Sequence, residues 1–558
     1  LSAPKDHGYS HMRWPLPVKK PGRGIGFALK TLAAVIASSV LLTACGNDGA
    51  RNGAAGNSKH FGYAVDDYLV TTNAGTNLGI STNAQLMAGR LYPSAYVSGP
   101  KGQLIPNRTL VETQVLPGPN QRVIYKIADS AVYSDGKPVT CDAFLLAFTA
   151  GSMNSLFESH MPLAQQVDHV DCTAGSKQAT VVYKENFGAR WRQLFGAGVL
   201  MPAHAVAAKA GIDLEELNRL LKSRDYTALS RVADIWNNGF NLSHFDPELQ
   251  VASGPFKIES VGDKGEVVFV RNDLYNGEKA ALDRLVVWPR GIDLNELRNN
   301  GSLQIADVTN TDLISWLDRN DSHNPYTVAA ETGLLTDSLI LGNAGIFSDV
   351  EARRALAACV DQASVAKASS TASGVDVQPV HARTVRATDA VNAQLKDIIE
   401  PHTHVNIDAA KRLEGKTIKV GYDGPDPRKK AMVEEISKSC APAGITIEDA
   451  AKEAASLADL SHTHVTDSGV GLIEEGTIDA ILMAIDPASE YADVSNLSNN
   501  VQATRAAERR SWEEVPTIPL ASQPRVFVVD KAVGNVVTNT DLSGIGWNMD
   551  RWNVVGAR

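Results

Sequence analysis

Three kinds of side chain here could do chemistry: five cysteines, two His-Thr-His triplets, and the carboxylate of Asp486, the first polar residue after an apolar run. A thiol can be alkylated, oxidised to a disulfide or bound to a metal, paired histidines can bind a metal, and a carboxylate at a strand end can hold a cation. The triplets are His402-Thr-His404 and His462-Thr-His464. Histidines at i and i+2 on loops are ordinarily solvated polar residues, so the sequence predicts no metal and no cofactor. No two of Cys141, Cys172, Cys359 and Cys440 stand at the short spacing of zinc ligands. There is no Gly-x-Ser-x-Gly elbow, no His-Glu-x-x-His and no phosphate-binding loop, and Gly22-Arg-Gly24-Ile-Gly26 lies in the leader described next. No catalytic residues are expected and the chain reads as a non-enzyme.

Cys45 stands apart from the other cysteines. Lys19, Lys20, Arg23 and Lys30 precede an apolar stretch from about Leu32 to Leu42, the layout of a secretory signal. Leu42-Thr43-Ala44-Cys45 resembles a bacterial lipobox, in which the thiol takes up diacylglycerol and the amine freed by cleavage is acylated. The apolar stretch is too short to span a bilayer of ~30 Å as a helix. Two or three acyl chains, at ~0.8 kcal/mol per buried CH₂, would instead hold the protein at the outer face of the cell membrane, on the periplasmic or cell-wall side. Residues 1–44 are thus read as signal peptide and upstream sequence, with residues 1–11 ahead of Met12 carrying no targeting pattern. Residues 45–59 are polar and glycine-rich, a tether unable to bury enough apolar surface to order itself.

An exported chain meets oxidising conditions, so the even set Cys141, Cys172, Cys359 and Cys440 predicts disulfides, with three connectivities open. The body after Cys45 is too long for one core and implies two or three lobes. A formal charge of −10 argues against nucleic acid as a partner, which needs clustered Lys and Arg. After Cys45 no apolar segment of about twenty residues recurs, so nothing further is expected to cross a membrane.

Periodicity places these residues on elements. Residues 68–72 alternate as a strand, 73–77 read as a tight turn and 83–91 as a helix, a β-turn-α opening. Between about 104 and 202, short alternating segments such as 123–127 and 180–183 predict antiparallel strands, and 214–236 has helical leucine spacing. Strands are expected at 256–258, 267–271 and 285–288, and a helix from Ser348 with a capping box to Glu351. Then 417–422 alternates as a strand, 428–440 as a helix stopped by Gly444, and 445–447 and 479–485 as strands, the last apolar enough for the centre of a parallel sheet. That alternation is α/β.

In chain order these motifs resemble the peptide-binding (dipeptide and oligopeptide) family of ABC-transporter extracellular solute-binding lipoproteins. Tyr133-Ser-Asp135-Gly136-Lys-Pro138-Val-Thr140 is similar to the family's aromatic-x-Asp-Gly-x-Pro-x-Thr turn, and Met201-Pro202-Ala-His204 to its Leu-Pro-Lys-His. Ser253-Gly254-Pro255-Phe256 with Arg271-Asn272-x-x-Tyr275-x-Gly277 resembles the segment where the chain re-enters the first domain. Leu341-Gly-Asn343, then Phe347-Ser-Asp349-Val-Glu-Ala-Arg353-Arg-Ala-Leu356 and Val360-Asp361, is similar to its Asn…Phe-x-Asp-x-x-x-Arg-x-Ala-Leu…Asp helix. The likeness runs over nearly all of 68–552.

The resemblance implies a two-lobed periplasmic-binding-protein-like α/β fold with a hinge and an additional inserted α+β domain. Lobe I would be 60–95, 246–335 and 520–558, the inserted domain 96–245 and lobe II 336–519, with the hinge near 335 and 520. Each disulfide would then close within one unit, Cys141 with Cys172 and Cys359 with Cys440. The implied activity is capture of a peptide or peptide-like solute by a monomer and delivery to an ABC permease driven by a cytoplasmic ATPase. In open α/β sheets ligands sit beyond the carboxyl ends of strands, which puts Asp486 at the cleft. Met483-Ala484-Ile-Asp486 falls where peptide binders carry Trp-x-x-Asp for the ligand's ammonium group, and departs from that pattern at Met483. Across the cleft, Asn73, Gly75 and Thr76 are expected to offer hydrogen bonds to an extended ligand. Trp191 and His204 read as packing residues of the inserted domain. Two other readings share the fold: an envelope receptor or scaffold, and a binder of haem, a metal chelate or a sugar.

Overall fold

The computed structural model describes residues 60–465, 471–491 and 501–555; the predicted leader, Cys45 and the tether up to residue 59 lie outside the described residues. Ten strands form one mixed sheet. Their order is Thr446–Asp449, Thr417–Gly421, Ala480–Ile485, Tyr326–Leu341, Thr517–Asp530, Ile305–Val308, Phe61–Val65, Arg284–Trp288, Val267–Arg271 and Phe256–Val261. The two long central strands run antiparallel, from Tyr326 opposite Asp530 to Ile340 opposite Thr517, with a register shift between Thr332 and Thr336. The places expected as connections, near 335 and 520, are therefore paired strands that carry the chain from one half of the sheet into the other. A bulge gives such strands a local bend. At Gly333 in that bulge, a Cβ would stand 2.6 Å from the Gln523 carbonyl oxygen, so only glycine permits the approach.

Ala480–Ile485 is apolar throughout because both its faces are covered. It pairs parallel with Thr417–Gly421 and antiparallel with Tyr326–Leu341, central as expected but in a mixed sheet. Helix Pro427–Cys440 packs beside it. Asp426 caps the helix, accepting from the amides of Arg428 and Lys429, and Pro427 fills the first position, where no N–H is needed. Met432, Val433, Ile436 and Cys440 face the core, and Cys440 is disulfide-bonded to Cys359 at the end of helix Val350–Cys359, with Cα atoms 4.8 Å apart. Arg428 reaches Asp337 on the central strand in a fully buried ion pair of 2.5 Å.

A second, antiparallel sheet has the order Val111–Leu116, Arg122–Ile127, Gln178–Tyr183, Val167–Asp171. The buried helix Asp142–Ser152 packs against this part of the chain, with Phe144 5.2 Å from Tyr125. Cys141 at its start is bonded to Cys172, so both expected pairings are present. Among the described residues no helix is long and apolar enough to cross a membrane.

Local readings changed where a longer-range partner outweighed a short pattern. The opening strand is Phe61–Val65 rather than 68–72, which follows it as extended chain bonded to 240–242 through the Thr72 amide and the Val70 carbonyl. Of the expected helix 83–91 only Gln85–Ala88 forms, since Asn83 takes a left-handed conformation, and a further short helix, Asn77–Ser81, precedes it. Helix 214–236 breaks into Leu214–Ser223 and Tyr226–Asn238 at left-handed Arg224, with Asp225 capping the second. Asp349, not Ser348, caps Val350–Cys359, accepting from the Glu351 amide, while the Ser348 hydroxyl donates to Gly345.

Candidate functional site

A cavity of about 100 Å³ lies where three parts of the chain meet: 74–85, 96–199, and Arg386 with 486–490; Asp541 and Leu542 complete its wall. Asp486 is there because Ala480–Ile485 ends at the cavity and Pro487 turns the chain. Its carboxylate caps the short helix Pro487–Glu490, accepting from the Ala488 amide at 3.1 Å. The same carboxylate is held by Arg386, whose Nε and Nη2 donate to Oδ1 and Oδ2 at 2.8 and 2.6 Å. Burial alone would pull the Arg386 pKa down, but the hydrogen bond to Asp486 and its charge raise it. The expected carboxylate thus lines the cavity with its charge already compensated.

Glu490, one helical turn on, accepts from His160 Nε2 at 2.8 Å. Burial pulls the His160 imidazolium pKa down; the charge of Glu490 and its hydrogen bond outweigh that and raise it. Arg190 spans the same junction, donating to the carbonyls of Pro487 at 2.7 Å, Tyr491 at 3.0 Å and Thr384. Farther along, Arg290 bridges Asp66 and Asp423, 3.2 Å from each, and the Leu457 amide donates to Ser81 Oγ at 3.0 Å. Polar contacts therefore close the junction on more than one side.

Arg192 also lines the cavity and is exposed. Its guanidinium lies 4.9 Å from the Trp191 ring centroid and 5.7 Å from that of Tyr96, the two rings packed edge to face.

Asn73, Gly75 and Thr76 are brought beside this region but turned inward. The Asn73 side chain is fully buried, accepting from the Gly75 amide at 3.0 Å and donating to the Trp236 carbonyl at 2.9 Å. Thr76 caps Asn77–Ser81 and donates to the Asn73 carbonyl, while the Gly75 carbonyl accepts from the His160 amide. Their hydrogen bonds shape the turn, and of this stretch it is Ala74 that reaches the cavity. Met483 is buried in an apolar cluster with Ile340, Leu460 and Tyr491, and Ala484 pairs with Asp337 in the sheet; neither lines the cavity. His204 binds Asp135 at 2.8 Å beside Tyr133, and Trp191 is buried.

Other clusters are accounted for by internal partners. Cys141, Asp142 and Cys172 converge, but the sulfurs form the disulfide and Asp142 accepts from Thr140, Gly175 and Asn218. His402 stacks on Trp512 at 3.9 Å, and His462 pairs with Glu474 at 3.2 Å. Arg386, His160 and Arg192 escaped sequence reasoning because nothing local marks a residue whose partner lies far along the chain. Glu490 carried a signal, a second carboxylate four residues after Asp486.

The mixed α/β body thus carries a cavity where separate segments of the chain meet, the kind of place in which small-molecule sites ordinarily lie. Residues 117–504 match the model of the bacterial extracellular solute-binding proteins, family 5, and the chain belongs to that family. An uncharacterized lipoprotein of Mycobacterium bovis is 32% identical over 569 residues, 93% of this chain and 96% of the relative. An uncharacterized lipoprotein of Mycobacterium leprae is 30% identical, covering 94% of this chain and 97% of its own. Among solved structures, the oligopeptide-binding protein AppA of Bacillus subtilis, in complex with a nonapeptide, has a TM-score of 0.64 at 14% identity, covering 89% of this chain and 100% of that one. A periplasmic EDTA-binding protein, EppA, has a TM-score of 0.63 at 17% identity, with coverages of 90% and 98%. NikZ of Campylobacter jejuni, in complex with Ni(L-His), has a TM-score of 0.58 at 13% identity, with coverages of 89% and 99%. The fold shared with these is the two-lobed one.

Proposed function

We propose that this family 5 solute-binding protein is anchored through acylated Cys45 at the outer face of the membrane, captures a peptide or peptide-like solute and hands it to an ABC permease. It acts as a monomer and performs no chemistry on the solute. The carrying observation is the cavity of about 100 Å³ lined by residues from separate parts of the chain, with the His160–Glu490 pair in its wall and Arg190 joining the same segments beside it. Lobe I is assigned to 60–95, 246–335 and 520–558, the inserted domain to 96–245 and lobe II to 336–519. The bulge between Thr332 and Thr336 serves as the hinge, and the cavity is the closed state of the cleft.

Cavity size favours a short solute over a long peptide, because drug-sized ligands ordinarily occupy ~300–1,000 Å³. The structural relatives named as binding EDTA and Ni(L-His) make a metal chelate the second reading, and the same observation supports it. Native mass spectrometry of the full chain, followed by denaturation, tests both. Released peptide masses are the expected result, a chelate mass would shift the assignment to the second reading, and a protein that is empty and ignores peptide libraries would sink solute capture in favour of a scaffold.

A further inference from the structure

Two of the three cationic side chains around the cavity are paired with carboxylates and the third is not. Arg386 is neutralised by Asp486 through two hydrogen bonds, and His160 by Glu490. Asp541, the remaining acid of the wall, is buried in its own turn, accepting from the Ser543 amide at 2.8 Å. Arg192 has no carboxylate partner among the described residues, although a guanidinium ordinarily seeks one. Its guanidinium lies instead against the Trp191 and Tyr96 rings and is exposed, so its N–H groups are open to a ligand. The rest of the wall is neutral: Met161, Leu163, Leu194 and Leu542 are apolar, and Gln85 and Gln193 carry amides.

We infer that Arg192 is the anion anchor of this cavity and that the captured solute is a small carboxylate whose short apolar body lies against Met161 and Leu194. The inference rests on the solute-capture reading above and gives that solute its charge. A guanidinium and a carboxylate form two parallel hydrogen bonds, stronger than neutral ones. An incoming ammonium group would find Asp486 and Glu490 already paired and Asp541 buried in its own turn, so recognition begins at the acid end of the solute.

The test uses the full chain purified in detergent and three matched probe sets followed by calorimetry: N-acetyl amino acids and N-acetyl dipeptides, their C-terminal amides, and amino-acid amides carrying a free ammonium. The acids are expected to bind at least tenfold more tightly than either amide set. Arg192→Gln is expected to lose that preference while keeping the unliganded melting temperature within a few degrees, since the side chain is exposed and lies on the outer side of the Trp191 and Tyr96 rings. Amides binding as well as acids, Arg192→Gln retaining the preference, or silence of all three sets would overturn the inference. A neutral or cationic mass released in native mass spectrometry would overturn it while leaving solute capture standing; an empty protein would remove both.

Discussion

Asp486 and Arg386, a hundred residues apart, meet through two hydrogen bonds of 2.6 and 2.8 Å at the cavity wall, so the carboxylate that strand geometry places there already has its cation. Both side chains are nearly buried, at 10% and 13% exposure. Asp486→Ala would strand the guanidinium, with an expected loss of about 3 kcal/mol of stability in urea unfolding. The double variant Asp486→Ala/Arg386→Leu should recover most of it. A single variant as stable as the parent would mean that solvent screens the pair.

If the cavity is the closed cleft, as proposed, His160 and Glu490 make its closure depend on pH. Pairing raises the His160 pKa over that of a free imidazole, so its contribution is fully present below ~6.5 and is lost as pH rises through the paired value. The radius of gyration in X-ray scattering should be smaller at pH 5.5 than at pH 8.5. His160→Gln should flatten that dependence; a profile unchanged by the substitution would exclude the pair as its source.

Cys359 and Cys440 close a loop of 81 residues' separation. Chain entropy alone gives such a link ~4.5 kcal/mol. Cys359→Ser/Cys440→Ser should therefore unfold at markedly lower urea, and a midpoint within error of the parent's would refute the entropic account.

Cys45→Ser should abolish incorporation of labelled acyl chains and release the protein from the membrane fraction. Retained label would place the anchor elsewhere.

The sequence revealed elements whose partners are near or whose pattern is long. Apolar 479–485 could only be a covered strand, and the capped, amphipathic 428–440 could only be a helix. Both disulfides followed once lobes were assigned. The site was less legible. Asp486 could be placed by the strand that ends before it, yet Arg386, which decides its charge state, has no local mark. Asn73, Gly75 and Thr76 looked available because turn residues ordinarily face solvent, and only Trp236, more than a hundred residues on, shows that they face inward. The same holds for 68–72, whose backbone partners lie at 240–242.

The two long central strands limit how the cavity can be reached. Sliding one half of the sheet past the other would break the backbone pairs on both sides of the bulge together, at about 1 kcal/mol each. A twist localised at Thr332–Thr336 keeps them. Ile485 is paired to Thr336 at that point, so Asp486 stands one residue from the proposed pivot. A rotation there would move Asp486 little, so that part of the cavity wall would stay nearly stationary while the two proposed lobes turn.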